Sequence, residues 1–217
     1  MSVNSRLASW KWTLPASTRR PSLAAVKIGF FGGSFDPVHF GHLCAAQDAY
    51  EQQHLDRLFF VPAAQAPLKP HDIRAAAADR LAMLNAALAS DRRFEISDYE
   101  LRQGGVSYTI DSARYFRAQF SREQLLWIIG GDQLPQLHLW KDIRELVTLV
   151  EFIVLDRPGH PATTAPEIPG LQLHRCRGHL LEISSTELRQ RARQELPLDC
   201  FVPHKTMAYI KEKNLYC

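Results

Sequence analysis

The sequence is poor in cysteine: four of its 217 residues are cysteines, and no two of them form a Cys-x-x-Cys pair. Zinc ribbons and dithiol redox sites need such pairs, so both classes are disfavoured, and unpatterned cysteines are typical of a reducing compartment. Long apolar runs are also missing, and no stretch approaches the length that spans a bilayer. We therefore expect a cytoplasmic globular protein without a membrane partner.

Acidic residues are absent from one region. Residues 1–26 hold four basic side chains and no Asp or Glu, so the net charge of +3 leaves residues 27–217 close to neutral. A folded region without excess positive charge or Lys/Arg/aromatic stripes is not typical of a nucleic-acid binder. We interpret residues 1–26 as a disordered extension or the product of an early start codon, with a transit peptide as the alternative, and residues 27–217 as one domain.

Short apolar runs alternate with helical patterns in the remainder. Six runs have the composition of buried strands: 26–31, 57–62, 94–98, 125–130, 151–156 and 180–184. Helical patterns occupy 40–53, 74–90, 109–120, 133–147, 185–194 and 203–216, and the Pro/Gly-rich stretch 157–178 is expected to be a surface loop. This alternation predicts the α/β class, with a Rossmann-like, doubly wound parallel sheet. Ligands of such sheets bind at the carboxyl ends of the strands, where the turn after the first strand and the junction at 184–189 are both expected.

The stretch GGSFDPVHFGH, residues 32–42, packs two glycines, a proline and two histidines into the turn after the first strand. A metal site, a tight structural turn and a phosphate cradle are the candidates. A metal site lacks a third ligand with the spacing of known zinc motifs, and a structural turn needs no histidine pair. Gly32 and Gly33 would let phosphate oxygens approach the backbone, while His39 and His42 at a helix N-terminus can donate hydrogen bonds to them. The pattern favours a phosphate cradle.

Two separated motifs carry a resemblance to a known superfamily. GGSFDPVHFGH resembles the H-x-G-H signature of the nucleotidyltransferases, and ISSTELR at 183–189 resembles their C-terminal motif. SYTIDS (107–112), IIGGDQLPQLHLW (128–140) and DRPG (156–159) are similar to the bacterial nicotinate-nucleotide adenylyltransferases. This resemblance implies an enzyme of NAD biosynthesis that joins ATP to nicotinate mononucleotide, forming nicotinate adenine dinucleotide and releasing pyrophosphate.

The resemblance also implies roles for individual residues. Neutralisation of phosphate charge during catalysis is implied for His39, His42, Lys69 and Arg189. ATP binding is implied for Gly32, Gly33, Ser34, Phe35, Gly130, Asp132, Ser184, Ser185 and Thr186. Binding of nicotinate mononucleotide is implied for Tyr108, Thr109, Trp140 and Arg157, with the tryptophan stacked on the pyridine ring. The expected cofactor is Mg²⁺, held mainly by the ATP phosphates, with no metal site in the protein.

Several of these residues also have a purely structural interpretation. Trp140 follows two leucines at helical spacing and can belong to a core stripe. Thr109 and Asp132 can cap helices, and Arg157 can be a solvated loop charge. At the level of the sequence these alternatives stay open.

The sequence departs from the family in the loop after the second strand. The family commonly has P-N-x-x-P-P-H-K there, whereas this chain has PAAQAPLKPH. Lys69 matches the family's lysine, Ala63 replaces its asparagine and Leu68 replaces its histidine. His71 is a candidate for the missing imidazole.

Other functions also stay open. Within the superfamily the alternatives are nicotinamide-mononucleotide and pantetheine-phosphate adenylyltransferases, and outside the enzymes a non-catalytic nucleotide-binding protein. Tyr108, Thr109 and Trp140 favour the nicotinate-nucleotide enzyme over the pantetheine-phosphate enzyme. We expect small-molecule substrates and no nucleic-acid partner, and the sequence leaves a homo-oligomer open.

Overall fold

Six strands form the centre of the protein. The computed structural model describes residues 25–67, 73–156, 164–179 and 181–217, so the expectation for residues 1–26 stays a prediction. The strands are β1 (Lys27–Gly33), β2 (Arg57–Pro62), β3 (Phe94–Ile96), β4 (Gln124–Gly130), β5 (Glu151–Asp156) and β6 (Leu173–Arg177). All neighbours are parallel, in the order β3-β2-β1-β4-β5-β6. This order confirms the predicted α/β class and the doubly wound, Rossmann-like sheet.

Helices cover both faces of the sheet. They are α1 (Phe40–Gln52), α2 (Ala77–Leu88), α3 (Tyr99–Gln103), α4 (Thr109–Gln119), a 3-10 helix (Leu134–Leu139), α5 (Ile143–Leu149), α6 (Ser185–Arg193) and α7 (His204–Glu212). Within the described ranges, no helix is long and apolar enough to cross a membrane.

Burial of both faces follows from the alternation of side chains along the strands. In β4, Leu126 and Ile128 belong to one hydrophobic cluster, while Trp127 and Ile129 belong to another. Helices α1, α2, α6 and α7 contribute to the first cluster, and α4, α5 and the 3-10 helix contribute to the second. Because successive side chains of a strand point to opposite faces, a strand covered on both faces must be apolar at nearly every position.

Five of the six predicted strands are confirmed, and the sixth is wrong. The described part of the predicted strand 180–184 forms no strand and leads into α6. The edge strand β6 lies earlier, within the stretch 157–178 that we expected to be a loop, and pairs with β5. Only Cys176 of its five residues is buried. Charged side chains are common on edge strands, so the apolar run that marks a buried strand is missing here.

The helices differ from the prediction in two places. The expected helix 133–147 is interrupted at Asp142, whose φ of +51° is left-handed and cannot continue a right-handed helix. The 3-10 helix therefore ends before α5 begins. The sequence gives no sign of the short helix α3, because Glu100 is its only buried residue and no apolar stripe can form.

The place of a ligand site follows from the strand order. β1 lies between β2 and β4, so the direction in which the chain adds strands reverses between β1 and β4. A crevice forms at such a switch point, outside the carboxyl ends of the strands. The turn after β1 and the segment after β4 flank this crevice.

Candidate active site

The turn after β1 is held by hydrogen bonds to its carbonyl groups. Four of them accept from outside the turn: Gly33 from the Ala63 N–H (2.9 Å), Ser34 from Arg80 (2.8 Å), Asp36 from Arg189 (2.8 Å) and Pro37 from Ser185 (3.0 Å). Among the described residues, no acceptor is found for the main-chain N–H groups of Ser34, Phe35 and Asp36. Free N–H groups beside a helix N-terminus are the donors that a phosphate-binding turn uses.

The glycines of the turn make room for aromatic rings. A Cβ on Gly32 would lie 3.1 Å from the Trp127 ring, and a Cβ on Gly33 would lie 3.0 Å from the Phe35 ring. Packing against these rings is one reason for both glycines, and the expected access of ATP phosphates to the backbone stays a prediction. The Phe35 side chain is fully buried, so only the main chain of this predicted ATP-binding residue is left to meet a nucleotide.

His39 and His42 lie together at the N-terminus of α1. Their ring centroids are 3.7 Å apart, and the His39 main-chain N–H donates to His42 Nδ1 at 3.3 Å. Because Nδ1 of His42 is an acceptor, the proton of the neutral ring is on Nε2, which is then a donor. Burial lowers the pKa of His39 to about 4, and burial together with His39 lowers the pKa of His42. Both rings are therefore neutral at pH 7 in the ligand-free protein.

Helix α6, which carries the second sequence motif, begins beside the turn after β1. Ser185 Oγ donates to the Pro37 carbonyl, and Arg189, which is only 5% exposed, donates to the Asp36 carbonyl. These bonds join two motifs that are about 150 residues apart in the chain. The structure thus brings together the two stretches that the sequence placed at strand ends.

The hydroxyl groups in the first turn of α6 already have partners. Ser184 caps the helix by accepting from the Glu187 N–H at 3.2 Å, and Thr186 Oγ1 accepts from Arg189 at 3.1 Å. A hydroxyl that accepts one hydrogen bond still has a proton to donate. The predicted contacts of these residues and of Arg189 with ATP phosphates are compatible with the geometry and stay predictions.

Gly130 and Asp132 lie on the other side of the crevice, after β4. The Gly130 N–H donates to Gln133 Oε1 at 3.2 Å, and a Cβ on Gly130 would overlap the Asp132 carboxylate. The interpretation of Asp132 as a helix cap is not supported, because Gln133 occupies the cap position of the 3-10 helix. The Asp132 side chain is exposed, and its predicted contact with ATP stays a prediction.

Three of the four predicted mononucleotide residues, Tyr108, Thr109 and Trp140, lie where α4 begins and the 3-10 helix ends. Tyr108 occupies the cap position of α4, so the interpretation of Thr109 as the cap is not supported. Lys141 Nζ lies 4.4 Å from the centroid of the Tyr108 ring and 3.5 Å from Asp111 Oδ2. This lysine, which the sequence analysis does not single out, brings a positive charge to the predicted pocket.

Trp140 fits both of its interpretations. Its ring packs edge to face against Phe152 at a centroid distance of 6.2 Å, on the margin of the second cluster. The residue is only partly buried, and its stacking on a planar ligand stays a prediction.

Arg80 is a further buried residue of the site that the sequence analysis misses. Its guanidinium donates to the carbonyls of Ser34 (2.8 Å) and Ala63 (2.7 Å), which ties the turn after β1 to the end of β2. The available signal was a charge on an apolar helix face, since Arg80 precedes Met83 and Leu84 by three and four positions.

Glu100 anchors the loop that carries Tyr108. Its buried carboxylate accepts hydrogen bonds from Ser112 and Ser107, and Ser107 Oγ in turn accepts from the Ala64 N–H at 2.9 Å. Burial raises the pKa of Glu100, and the two hydrogen bonds oppose that rise. The loop is thereby fixed to the end of β2, although no periodicity in the sequence marks this glutamate.

Three residues of the sequence predictions lie outside the described ranges: Lys69, His71 and Arg157. Their proposed contacts with phosphate stay predictions. Within those ranges, no group of three or more His, Cys, Asp or Glu side chains is placed to hold a metal ion.

Known proteins resemble this chain along most of its length. Residues 30–191 match the family described as cytidylyltransferase-like. A probable nicotinate-nucleotide adenylyltransferase of Opitutus terrae is 69% identical over 88% of this chain and 98% of that protein, and one of Methylacidiphilum infernorum is 38% identical over 88% and 92%. The solved structure of Plasmodium falciparum nicotinic acid mononucleotide adenylyltransferase complexed with NaAD has the same fold, with a TM-score of 0.69 at 20% identity over 88% of this chain and 97% of that chain. With its two motifs joined at the sheet's switch point, the chain belongs to the cytidylyltransferase-like family and, within it, to the nicotinate-nucleotide adenylyltransferases.

Proposed function

We propose that the protein transfers the adenylyl group of ATP to nicotinate mononucleotide, giving nicotinate adenine dinucleotide and pyrophosphate in NAD biosynthesis. The observation that carries the proposal is the pair of hydrogen bonds from Ser185 and Arg189 to the turn that leads into His39 and His42. The names of the two bacterial relatives describe this activity, and the Plasmodium protein of the same fold was solved with NaAD.

The reaction needs positioning and charge stabilisation more than acid–base chemistry. The phosphate of the mononucleotide is ionised at neutral pH and attacks the α-phosphorus of ATP in line, so no general base is required. His39 and His42 are neutral and act as hydrogen-bond donors, with the His42 proton fixed on Nε2. A preorganised donor stabilises the charge that develops at the α-phosphate without further reorganisation.

The triphosphate is held from several directions in this proposal. The free N–H groups of the turn after β1 and the N-terminus of α6 donate to its oxygens. Lys69 contributes positive charge. Arg189 contributes its charge from beneath the turn, and it also holds the turn in place by donating to the Asp36 carbonyl. Mg²⁺ enters as the complex with ATP, with phosphate oxygens and water as its main ligands.

The charge at the mononucleotide pocket favours an acid over an amide. Nicotinate carries a carboxylate where nicotinamide carries a neutral amide. Lys141 stands against Tyr108 and next to Trp140 in the chain, and although Asp111 lies 3.5 Å from it, a nearby cation favours the carboxylate. In this proposal Trp140 stacks on the pyridine ring, and Arg157 binds the phosphate of the mononucleotide. The pocket thus supports nicotinate mononucleotide over nicotinamide mononucleotide as the acceptor.

The proposal is tested by supplying one acceptor at a time. The protein is incubated with ATP, Mg²⁺ and either nicotinate mononucleotide, nicotinamide mononucleotide or pantetheine phosphate, and pyrophosphate and the adenylylated product are measured. We expect the highest kcat/KM with nicotinate mononucleotide. A higher value with another acceptor reassigns the substrate, and binding of ATP without turnover of any acceptor contradicts the enzyme in favour of a non-catalytic nucleotide-binding protein.

A further inference from the structure

Asp36 forms a buried junction beneath the turn after β1. Its side chain is fully buried, and its carboxylate accepts hydrogen bonds from three groups outside the turn. These are the main-chain N–H groups of Arg74 and Ala75, which lead into α2, and the hydroxyl of Tyr216, at 2.6 Å from Oδ1. An isolated buried carboxylate is costly, so each of these donors helps to fix where Asp36 lies.

The main chain at the same position supports the proposed phosphate site. The Asp36 carbonyl accepts from Arg189, and the next carbonyl, that of Pro37, accepts from Ser185. His39 follows two residues later. Contacts of the Asp36 side chain and of its main chain thus hold the same turn, which joins the two sequence motifs.

The Tyr216 hydroxyl is kept as a donor by its surroundings. Burial and the hydrogen bond to Asp36 raise the pKa of Tyr216 far above its usual value, while the charges of Arg189 and Arg80 oppose the rise. The phenol therefore stays protonated at all physiological pH values. It reaches Asp36 from the segment after α7, which is 180 residues away in the chain.

We propose that Tyr216 is a positioning residue for ATP: its hydroxyl fixes the Asp36 carboxylate, and through it the turn after β1 and the guanidinium of Arg189. This inference rests on the proposed function. It assigns a role in the site to the segment after α7, which the motifs of the sequence do not include. Removal of the hydroxyl takes away the shortest hydrogen bond to Asp36 Oδ1, leaves it only the Ala75 N–H at 3.2 Å, and loosens the turn.

Tyr216→Phe tests the proposal, with Tyr209→Phe as the matched control. Both variants remove one tyrosine hydroxyl that donates to a carboxylate, but Tyr209 donates to Asp79 on α2, at 3.0 Å, outside the proposed site. We expect Tyr216→Phe to lower kcat/KM for Mg·ATP by roughly 10-fold, because hydrogen bonds to charged groups are among the stronger ones. The KM for nicotinate mononucleotide and the melting temperature should match those of the control.

Equal kcat/KM for Mg·ATP in the two variants would overturn the proposal. The proposal would also be overturned if Tyr216→Phe lowered kcat/KM for both substrates by the same factor and melted at a lower temperature than the control. That result would indicate a general loosening of the protein. The affinity for Mg·ATP is also measured without an acceptor. If the unmodified protein turns over no acceptor, the proposed function fails, and these affinities alone decide the role of Tyr216.

Discussion

His39 and His42 show how the fold sets the chemistry of single side chains. Burial makes their protonated forms costly, and the hydrogen bond between them fixes the tautomer of His42. The free protein therefore holds two close imidazoles without charge repulsion. A bound polyanion favours the protonated forms, so binding of ATP is expected to raise the pKa of both histidines.

His42→Ala removes the proposed donor to the α-phosphate. We expect kcat to fall by roughly 10²–10³, the usual loss when one charge-stabilising donor is removed. Steady-state kinetics and circular dichroism check the rate and the fold. His204→Ala, at an exposed position on α7, is the control and should retain the original rate. A folded His42→Ala protein with near-original turnover contradicts the proposed mechanism.

Trp140→Ala separates the two interpretations of the tryptophan. Loss of stacking should raise KM for nicotinate mononucleotide by about 10-fold with little change in KM for ATP, since stacking on a base is worth about 1–3 kcal/mol. Trp140→Phe keeps an aromatic face and should recover most of the affinity. An unchanged KM in Trp140→Ala, accompanied by a lower melting temperature, would limit the tryptophan to its contact with Phe152.

At the scale of elements, the start of α1 and the start of α6 work as one unit. Gly41 lies between the two histidines, and a Cβ there would be 3.0 Å from the His39 ring and 3.7 Å from the carbonyl of Ile183, just before α6. Its backbone is helical, so the glycine is explained by this crowding and not by its φ value. A methyl group at this position would touch the Ile183 carbonyl at an ordinary distance but would crowd the His39 ring.

Gly41→Ala tests this packing. Alanine is favoured over glycine inside a helix by about 1 kcal/mol, so propensity alone predicts a protein at least as stable as the original. The methyl group should nevertheless push the His39 ring aside and lower kcat by roughly 10-fold or more, because small displacements of catalytic groups are costly. Thermal melting and kinetics are measured on the same preparation. Unchanged kcat would show that the His39 position is not critical.

The elements that the sequence predicts well are those with a strong local pattern. β1, β2 and β4 are apolar on both faces, and α1, α4 and α6 start where the sequence places them. The sequence does not predict β6, because its own composition is polar. Its place at the sheet edge is set by pairing with β5. The sequence does not predict the break at Asp142 either, because a single left-handed residue leaves the hydrophobic pattern around it unchanged.

At the scale of the whole molecule, the lowered pKa values of the histidines couple stability to pH. An unfolded histidine takes up its proton near pH 6.5, whereas folded His39 does so only near pH 4. Between these values the unfolded chain binds more protons, so the free energy of unfolding falls as the pH falls. His42 adds to this loss in the same direction.

Urea denaturation at several pH values between 7 and 4.5 measures this dependence. Each histidine that takes up its proton only on unfolding changes the free energy of unfolding by up to about 1.4 kcal/mol per pH unit. The double variant His39→Gln, His42→Gln lacks both groups and should lose stability less steeply over this range. Parallel curves for the two proteins would show that neither histidine has a lowered pKa.

The sequence by itself determined the α/β class, the order of most elements and the two family motifs, because glycines, histidines and buried apolar runs leave local patterns. Tyr108, Thr109 and Trp140 could likewise be identified as candidates from motif and order. Only the tertiary structure decided which groups hold the motifs together. The contacts of Asp36 with Arg189 and Tyr216 span more than 150 residues, so no local pattern records them. They form because a carbonyl and a carboxylate that the fold buries must both be hydrogen-bonded, and the fold alone chooses Arg189 for the first and Tyr216 for the second.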